Sequence, residues 1–505
     1  MRKVTSANPI LWSLVLVFAA PLLLCAQEKA PSQKPRYRLV DLGTFGGPLS
    51  LVFTLTGNLN QQRTLVTSCA DTAELDPDWP NVNPLFGGDP YIQHAFSTRS
   101  GLLKDLGVLP GGTSSCGQAI NANGVVAGFS TNGDLDPLTG FPEIDAVRWR
   151  NGKILDLGTL GGNGGVAYFL NDSGQITGGA LNSVPDSFAG VFFPGATQVH
   201  AFLWQKGAME DIGTLGGADS MAYYINQRGD IAGQSFTNDI PNETTGFPTV
   251  DPFFWSNGRM QDLGTLGGTN GSTNALNNRG QVAGTSNLPG DQSFHPFLWD
   301  RGMLRDLGTF GGSNGQASWM NDEGAVVGYA NFPGDTRFDA FLWRRGVMTD
   351  LGNFGCNSKA VGINSGNEVV GASRLADCAT RHAFLWEKGK IYDLNDLIPA
   401  DSGLEFVETQ AINDAGVIAG NGLPPGCDDL EVCGHAYLLF PCGRADDGEC
   451  NNKTTTASGS AVLPPDPRPR SSNTDQKLHV DELRELQNPL IQRGRFGRRR
   501  VGGEH

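Results

Sequence analysis

The stretch from His295 to Gly328, HPFLWDRGMLRDLGTFGGSNGQASWMNDEGAVVG, decides the fold of this chain. It is one copy of a unit that recurs from Tyr37 to Phe440. Each copy contains an aromatic segment ending in Trp, a Gly turn, a D-L-G tripeptide, a Gly-Gly pair, an Asn-x-x-Gly turn and an apolar segment ending in Gly. The segments between the turns are rich in aromatic and β-branched residues and too short for a helical period. Each copy therefore predicts four short antiparallel strands.

Two turns punctuate the unit. Trp299 to Gly302 and Asn321 to Gly324 have the same spacing, with an Asn or Asp ahead of a final Gly. An Asn or Asp side chain accepts a backbone hydrogen bond in a type I turn, and the Gly adopts the left-handed conformation without steric cost. We predict that both are the same type I turn followed by a glycine bulge.

The unit occurs eight times, and three landmarks support that number. The D-L-G aspartate stands at Asp41, Asp105, Asp156, Asp211, Asp262, Asp306, Asp350 and Asp393. The turn asparagine stands at Asn60, Asn121, Asn171, Asn226, Asn277, Asn321, Asn364 and Asn413. The aromatic segment opens at His94, Asp145, His200, Asp251, His295, Asp339, His382 and His435. The first copy is the most degenerate, with Arg63 where the turn glycine is expected. A period of roughly 40 to 50 residues with four strands is typical of propeller blades.

The order of the landmarks predicts a closed ring. The array begins with a D-L-G strand at Tyr37 and ends with an aromatic strand from His435 to Phe440, and elsewhere these two are halves of one hairpin. Pairing of the two ends would complete that hairpin and remove two sheet edges, whereas an open solenoid needs capping repeats. We predict an all-β fold, a β-propeller of eight four-stranded blades, with seven blades as the fallback.

The repeated elements HAFLW, DLGTLGG and IN-x-x-G-x-V-x-G, as in residues 200–233 and 382–420, resemble the HAF repeat of predicted extracellular bacterial proteins. The resemblance covers residues 37–442. It implies export and a repetitive β fold, and it supplies no catalytic residue.

The two ends of the chain lie outside the array. Residues 1–26 contain a positively charged start, an apolar run and Cys25-Ala26, which is typical of a secretory signal peptide cleaved after Ala26. Cys25 also suits a lipoprotein signal, although Leu24 is large where such signals need a small residue. Residues 27–36 are a short linker, and residues 443–505 predict a disordered tail with a basic end. The apolar run is too short for a membrane span, so none is expected after cleavage.

Charge and cysteine content limit the possible partners. Without residues 1–26 the chain has 35 basic and 52 acidic side chains, a net charge of −17, which disfavours nucleic acid. Eight cysteines remain, and an even number in an exported chain predicts disulfides. The candidate pairs are Cys69 with Cys116, Cys356 with Cys378, Cys427 with Cys433 and Cys442 with Cys450. A zinc cluster at 427–450 is the alternative, but no C-x-x-C is present. We expect a monomer without a cofactor.

Four insertions mark a candidate binding face. Residues 71–93, 131–144, 181–199 and 236–250 all enter after the V-x-G segment and before the aromatic segment. If the aromatic strand is innermost, these loops link neighbouring blades on one face, and insertions at one repeat position often form the binding face. Their aromatic residues are candidate ligand contacts or, alternatively, the buried interior of lids. These residues are Trp79, Phe86, Tyr91, Phe141, Phe192, Phe193 and Phe247.

The residues that recur at the same position across the units favour structural roles. A Trp in one register indicates packing between blades rather than a carbohydrate platform. This set is Trp149, Trp204, Trp255, Trp299, Trp343 and Trp386. Eight equivalent D-L-G aspartates favour hydrogen bonding to the following turn, since catalysis needs one or two carboxylates in distinct environments. The His or Asp that opens the aromatic strand predicts a hydrogen bond to the neighbouring blade, with a metal-binding ring as the alternative.

These patterns predict an exported, non-catalytic binding or scaffold protein whose polysaccharide or protein ligand is held on the loop-bearing face. The alternative is a carbohydrate-active enzyme that uses loop carboxylates such as Asp76, Asp78, Asp134 or Asp136. No catalytic or metal-binding residue is assigned, because no histidine stands outside the repeat except His479 and His505, and the sequence has no phosphate-binding loop.

Overall fold

The computed structural model describes residues 34–442 apart from 54–58, 61–64, 88, 100–101, 244 and 400. The predicted signal peptide, most of the linker and the predicted tail therefore lie outside the described residues, as do Cys25, Arg63 and Cys450. No helix within the described residues is long and apolar enough to cross a membrane.

The described residues form eight antiparallel sheets of four strands each, which confirms the eight-bladed propeller. The first half of the chain contains β1 (Tyr37–Asp41), β2 (Gly46–Leu51), β3 (Thr67–Leu75), β4 (Tyr91–Arg99), β5 (Leu102–Asp105), β6 (Ser115–Ile120), β7 (Val126–Leu135), β8 (Pro142–Arg150), β9 (Lys153–Asp156), β10 (Gly161–Leu170), β11 (Ile176–Pro185), β12 (Thr197–Gln205), β13 (Ala208–Asp211), β14 (Ser220–Ile225), β15 (Ile231–Phe236), β16 (Val250–Ser256) and β17 (Arg259–Asp262).

The second half contains β18 (Gly271–Leu276), β19 (Val282–Asn287), β20 (Phe294–Asp300), β21 (Met303–Asp306), β22 (Gly315–Met320), β23 (Val326–Asn331), β24 (Phe338–Arg344), β25 (Val347–Asp350), β26 (Gly355–Ile363), β27 (Val369–Leu375), β28 (Arg381–Glu387), β29 (Lys390–Asp393), β30 (Glu405–Ile412), β31 (Ile418–Leu423) and β32 (His435–Pro441). Blades 1 to 7 take four consecutive strands each from β2 onward, and blade 8 contains β30, β31, β32 and β1. Short helical turns lie at Pro84–Phe86, Leu394–Asp396 and Leu430–Cys433.

The two ends of the array meet in blade 8, as the order of landmarks predicted. Strand β1 pairs antiparallel with β32 over its full length, with Arg38 opposite Phe440 and Val40 opposite Leu438. The amide of Leu42 donates to the carbonyl of Ala436 just beyond the paired strand. This pairing satisfies two strand edges that would otherwise be open to association with another chain.

The first strand of each blade is the innermost, which corrects the assumption that the aromatic strand lines the axis. In β6 all six residues are buried, whereas the fourth strand β9 is mostly exposed. The aromatic strand occupies the third position of each sheet. The four insertions are therefore hairpin loops between the second and third strands of single blades, not links between blades. They still share one end of the ring, because hairpins at the same position in each blade emerge on the same side.

The two turns of the unit differ in type, so the prediction of one shared turn was wrong for the Trp turn. Arg301 and Gly302 both have positive φ angles, 50° and 86°, which defines a type I′ turn with two central residues. The twist of this turn matches the twist of the flanking strands. In the asparagine turn only Gly324 has a positive φ, 81°, as expected for a type I turn followed by a glycine.

The turn asparagines form a ring of hydrogen bonds around the axis. The side-chain amide of Asn171 donates to the backbone carbonyl of Asn226 in the next blade at 3.0 Å, while its carbonyl oxygen accepts from the amide of Gln175 within its own turn. The same inter-blade bond runs from Asn121 to Asn171, Asn226 to Asn277, Asn277 to Asn321, Asn321 to Asn364, Asn364 to Asn413 and Asn413 to Asn60. A residue chosen for its turn thus also joins neighbouring blades.

The core lies between blades, and the repeated tryptophans belong to it. Trp343 is buried in a cluster that joins residues of blade 6 to Ala275 and Leu298 of blade 5. Trp149, Trp204, Trp255 and Trp299 are also buried, and Trp386 is half-buried. This position in the core supports packing between blades rather than a carbohydrate platform.

Three of the four candidate disulfides are present. Cys69–Cys116 joins the second strand of blade 1 to the first strand of blade 2, so it links two blades covalently. Cys356–Cys378 and Cys427–Cys433 close shorter segments within blades 7 and 8. The fourth pair includes Cys450, which lies outside the described residues.

Candidate functional site

The loop face consists of residues 71–93, 131–144, 181–199 and 236–250 in blades 1 to 4. The crossovers that carry the Gly-Gly pairs from one blade to the next lie at the same end of the ring. At Gly112 a side chain would approach the carbonyl oxygen of Thr131 to 1.9 Å, so only glycine fits where the crossover contacts the loop. The glycine pair therefore packs each loop directly against the frame.

Four of the seven aromatic residues proposed as ligand contacts are buried, which corrects that assignment. Phe86, Tyr91, Phe192 and Phe193 are each less than 8% exposed. Phe192 packs on Phe236, with ring centroids 4.9 Å apart. Burial of these rings agrees with the alternative interpretation of the loops as lids. Phe141 and Phe247 are half-buried, and Trp79 is exposed.

A single apolar cluster underlies the whole loop face. It extends from Phe86 in blade 1 through Phe129 and Leu181 to Phe236 and Val250 in blade 4. The loops also contact each other directly, because the side-chain amide of Asn83 donates to the carbonyl of Pro142 at 2.9 Å. The loops are therefore packed as one layer, which gives a binding surface a rigid support.

The apolar side chains that the loop face does expose are mainly aliphatic. They are Leu75, Trp79, Leu135, Leu138, Val184 and Ile240, with exposed fractions from 37% to 75%. Sequence reasoning missed the five aliphatic ones because it selected aromatic residues only. The signal was present, since each aliphatic residue stands among Pro, Gly, Asn and Asp rather than in an apolar segment.

The loop face is acidic. Its four loops contain eleven Asp and Glu residues and no Lys or Arg. Glu74, Asp134, Asp239 and Glu243 are exposed, and within the described residues none of them forms an ion pair. A surface with this composition attracts basic groups.

Two carboxylates that the enzyme alternative requires have structural roles. Asp76 accepts from the amide of Asp78 and the hydroxyl of Ser114, and Asp136 accepts from the amides of Leu138 and Thr139. Burial and the charge of Asp76 raise the pKa of Asp78. Asp134 is exposed. These four residues do not form a pair with an acid and a base in distinct environments.

The D-L-G aspartates cap the turns that follow them. Asp105 accepts from the amide of Gly107 at 2.7 Å, and the same bond occurs in every blade. The other donors are the amides of Gly43, Gly158, Gly213, Gly264, Gly308 and Gly352 and, in blade 7, the amide of Asn395. This geometry agrees with the prediction that each D-L-G aspartate accepts a hydrogen bond from the turn that follows it.

Nδ1 of the histidine that opens the third strand bonds the D-L-G aspartate on the adjacent outer strand of its own blade, whereas the prediction placed the partner in the neighbouring blade. His382 also reaches the neighbouring blade, because its Nε2 lies 3.6 Å from Glu405 in blade 8. Nδ1 of His200 lies 2.8 Å from Asp211. Burial lowers the pKa of His200, but the hydrogen bond to Asp211 and the charge of Asp211 outweigh burial and raise this pKa above its ordinary value. Equivalent pairs are His94–Asp105, His295–Asp306, His382–Asp393 and His435–Asp41. Within the described residues no group of three or more His, Cys, Asp or Glu is arranged to hold a metal ion.

Three blades place a second aspartate where the others have histidine, and they compensate for it differently. Asp339 is paired with Arg337, and Asp145 accepts from the side-chain amide of Asn132 at 2.9 Å. Asp251 has no such donor, and its buried Oδ1 has no hydrogen-bond partner. Burial and the charge of Asp262 raise the pKa of Asp251 to about 7. When it is protonated, Asp251 can supply to Asp262 the hydrogen bond that the histidine N–H supplies in other blades.

A second carboxyl pair fixes a long loop to a crossover. Asp219 is buried in the crossover after blade 3, and Asp186 lies in the loop 181–199. Burial raises the pKa of Asp219 to about 7 against the hydrogen bond from the amide of Val199, and Asp186 adds to the rise. When Asp219 is protonated, it can donate to the buried Oδ2 of Asp186, which has no other hydrogen-bond partner, and so join the loop to the frame.

Aromatic side chains of the innermost strands contact each other from blade to blade. The ring of Tyr224 in blade 4 lies 5.8 Å from that of Trp319 in blade 6, so the two meet past the small Ala275 of blade 5. Phe169 of blade 3 packs edge-on against Tyr224. These three residues form an aromatic cluster, and each stands two positions before a turn asparagine.

No protein-family model matches this sequence, and no curated protein matches it either. Several solved structures match this chain with TM-scores of 0.40 or less. The β-propeller domain of the Trilobed protease from Pyrococcus furiosus has a TM-score of 0.40 at 11% identity, covering 70% of this chain and 97% of that chain. The acylaminoacyl peptidase of Pyrococcus horikoshii has a TM-score of 0.37 at 11% identity; the match covers 77% of this chain and 58% of that chain. An ulvan lyase of family PL25 has a TM-score of 0.34 at 10% identity, covering 71% and 96%. Similarities this low transfer no activity.

Proposed function

We propose that this protein is an exported, non-catalytic binding or scaffold module whose ligand docks on the loop face. One observation carries the proposal. Six exposed apolar side chains lie on four adjacent loops that are packed as a single layer over a common core. Exposed apolar groups gathered on one face of a folded protein are typical of interaction sites. The predicted signal peptide and the three disulfides support export, where disulfides persist.

The chemistry of the loop face favours a protein ligand with apolar and basic side chains. Five of the six exposed apolar residues are aliphatic, and the loops have no positive charge. Polysaccharide binding is the second candidate, because the exposed ring of Trp79 and the half-buried rings of Phe141 and Phe247 offer stacking surfaces. The resemblance to the HAF repeat remains a prediction that agrees with export.

The test compares two triple variants that remove equal numbers of exposed apolar groups. Leu135→Ser, Leu138→Ser and Ile240→Ser change the loop face, whereas Leu102→Ser, Met303→Ser and Val347→Ser change exposed positions on outer strands. Partners are identified by cross-linking to cell-envelope proteins and by a glycan array, and each purified hit is then titrated.

We expect the loop-face variant to lose at least about tenfold in affinity while the outer-strand variant binds like the wild type. Equal binding by both variants would remove the loop face from the proposal. Turnover of a polysaccharide that Asp134→Asn abolishes would favour the enzyme alternative instead.

A further inference from the structure

The C-terminal part of the chain contains its densest run of basic residues. This run, which we call the basic segment, extends from Arg493 to Arg500 and has arginine at positions 493, 495, 498, 499 and 500. No Asp or Glu stands within residues 486–503. The basic segment belongs to the predicted tail and lies outside the described residues. Since the whole chain has an acidic excess, the segment is opposite in charge to the protein that carries it.

The loop face offers carboxylates that no side chain of the propeller neutralises. Glu74, Asp239 and Glu243 are exposed and form no ion pair within the described residues. The four loops contain no Lys or Arg that could compete for these carboxylates. At the other end of the ring, by contrast, Glu323 is paired with Arg344 at 3.1 Å. An arginine from elsewhere in the chain can therefore supply the ion pairs that the loops themselves lack.

The composition of the basic segment also fits the apolar part of the loop face. Trp79 is 37% exposed, and an arginine guanidinium stacks on an indole ring as readily as it pairs with a carboxylate. Phe496 stands among the arginines, while Leu138 and Ile240 are 70% and 75% exposed on the loops. Arginines around one aromatic residue thus match both the charge and the apolar side chains of this face.

The connection to the basic segment is long enough to reach the loop face. In blade 8 the third strand begins at His435 beside the hairpin loop, so Pro441 lies at the end of the ring away from the loops. The 7 residues of this strand rise about 23 Å, whereas residues 443–492 span up to roughly 160 Å. Blade 1, which carries the first long loop, adjoins blade 8, because the amide of Ala436 donates to the hydroxyl of Ser50 at 3.0 Å.

The covalent connection makes even a weak contact effective. A segment joined to the protein that binds it is present at an effective concentration on the order of 0.1–1 mM, well above that of a dilute external ligand. The loop face cannot hold the segment and an external ligand of similar chemistry at the same time. The ligand must therefore displace the segment before it binds.

We propose that the basic segment docks on the loop face of its own chain and competes there with the external ligand. Its arginines pair with the exposed carboxylates of the four loops, and Phe496 packs on the exposed apolar side chains between them. The inference rests on the proposed function, since it uses the same face, and it adds the regulation of that face.

The test uses full-length protein and a labelled peptide of residues 490–502, titrated by fluorescence anisotropy. The tail variant carries Arg493→Ser, Arg495→Ser, Arg498→Ser, Arg499→Ser and Arg500→Ser in the full chain. The peptide should bind the tail variant at least about tenfold more tightly than the wild type, because only the wild type has a tethered segment that competes for the face.

Two matched pairs of substitutions, each added to the tail variant, locate the contact. Glu74→Gln with Glu243→Gln removes two exposed carboxylates of the loop face. Glu210→Gln with Glu323→Gln removes two exposed carboxylates away from that face and changes the net charge equally. The loop-face pair should lower the peptide affinity about tenfold and the control pair less than about twofold. Thermal unfolding verifies that each variant is folded.

Three results would overturn the proposal: no peptide binding to the folded tail variant, equal binding to the tail variant and the wild type, or equal effects of the two pairs. An oligomer that the wild type forms and the tail variant does not would assign the segment to a second copy and would also overturn it. The proposed function is tested separately by the variant at Leu135, Leu138 and Ile240. Binding of an external partner that depends on those residues, without peptide binding, would refute this inference alone.

Discussion

Blades 1 to 4 and blades 5 to 8 share the same four-stranded frame. They differ in the connection between the second and third strands and in the residues of the innermost strand. Blades 1 to 4 carry the long, acidic loops and apolar residues on the inner strands. Blades 5 to 7 connect the same strands by short turns, and blade 8 uses a short helix closed by Cys427–Cys433. At the fifth residue before the turn asparagine, the inner strands of blades 5 to 8 carry the polar or charged residues Ser272, Gln316, Lys359 and Glu408. Positions that depart from the repeat, rather than those that define it, are therefore the ones that distinguish one side of the ring from the other.

The common frame explains why such differences are tolerated. Hydrogen bonds of the turn asparagines, the caps of the D-L-G aspartates and the buried aromatic residues recur in both halves. None of these contacts uses the loop tips or the fifth residue before the turn asparagine. Function can vary at those sites without loss of the fold, as in other repeat architectures.

The largest expected effect tests whether the long loops belong to the core. Phe236 is fully buried and packs against Phe188 and Phe192 of the loop 181–199. Phe236→Ala should lower the free energy of unfolding by roughly 3–5 kcal/mol, because it leaves a cavity under the loop face. Ile240→Ala, at a 75% exposed position in the adjacent loop, should change it by less than about 0.5 kcal/mol. Chemical denaturation measures both. Similar small losses would show that the loops are not part of the cooperative core.

The disulfides sharpen the comparison between the halves. Removal of Cys69–Cys116 frees a segment of 47 residues between two blades, and removal of Cys427–Cys433 frees 6 residues within one. The chain-entropy model predicts that the free energy of unfolding falls by about 4 kcal/mol without Cys69–Cys116 and by about 2 kcal/mol without Cys427–Cys433. The paired Cys→Ala variants are compared by thermal unfolding. A larger loss for the shorter segment would mean that contacts in blade 8, not chain entropy, dominate.

The asparagine ring should be equally important on both sides. Asn171→Ala and Asn321→Ala each remove an inter-blade bond and the acceptor within a turn. Each substitution should lower the free energy of unfolding by about 2 kcal/mol, since polar backbone groups at these buried positions lose their partners. Urea unfolding gives both values. A marked difference between the two variants would show that the frame itself is asymmetric.

The smallest effect concerns pH. The pKa of Asp251 is raised to about 7 in the fold, so the folded state holds a proton that the unfolded chain releases above about pH 4. The stability that this proton gives to the folded state is fully present below about pH 4 and is lost as the pH rises through 7. Asp251→Asn keeps a donor to Asp262 at every pH. Its stability should therefore exceed that of the wild type by roughly 1–2 kcal/mol at pH 8, after allowance for solvent at the exposed Asp262.

The control for the pH experiment is Asp339→Asn. Asp339 already has Arg337 as its partner, so the substitution removes an ion pair and should destabilise the protein at pH 8. Unfolding is measured from pH 5 to pH 8. Parallel pH curves for the wild type and Asp251→Asn would contradict the shared proton.

Sequence reasoning succeeded where local chemistry repeats and failed where it depends on neighbours in space. Asp105 was correctly interpreted because its acceptor role involves only the adjacent turn. Phe192 was misassigned because an aromatic residue in a long loop gives no indication of whether a second loop covers it. Lys359 was overlooked because one lysine in an inner strand gives no indication that its ammonium group lies against the ring of Tyr329 in the neighbouring blade.

The eight blades and the pairing of the chain ends could be predicted from the sequence alone, because strand period, turn chemistry and the order of the landmarks are properties of short segments and their succession. The tertiary structure decided which strand lies at the axis, which loop side chains are exposed and which polar atoms lack partners. Those properties depend on packing between residues distant in sequence, and no local pattern records the distance between them.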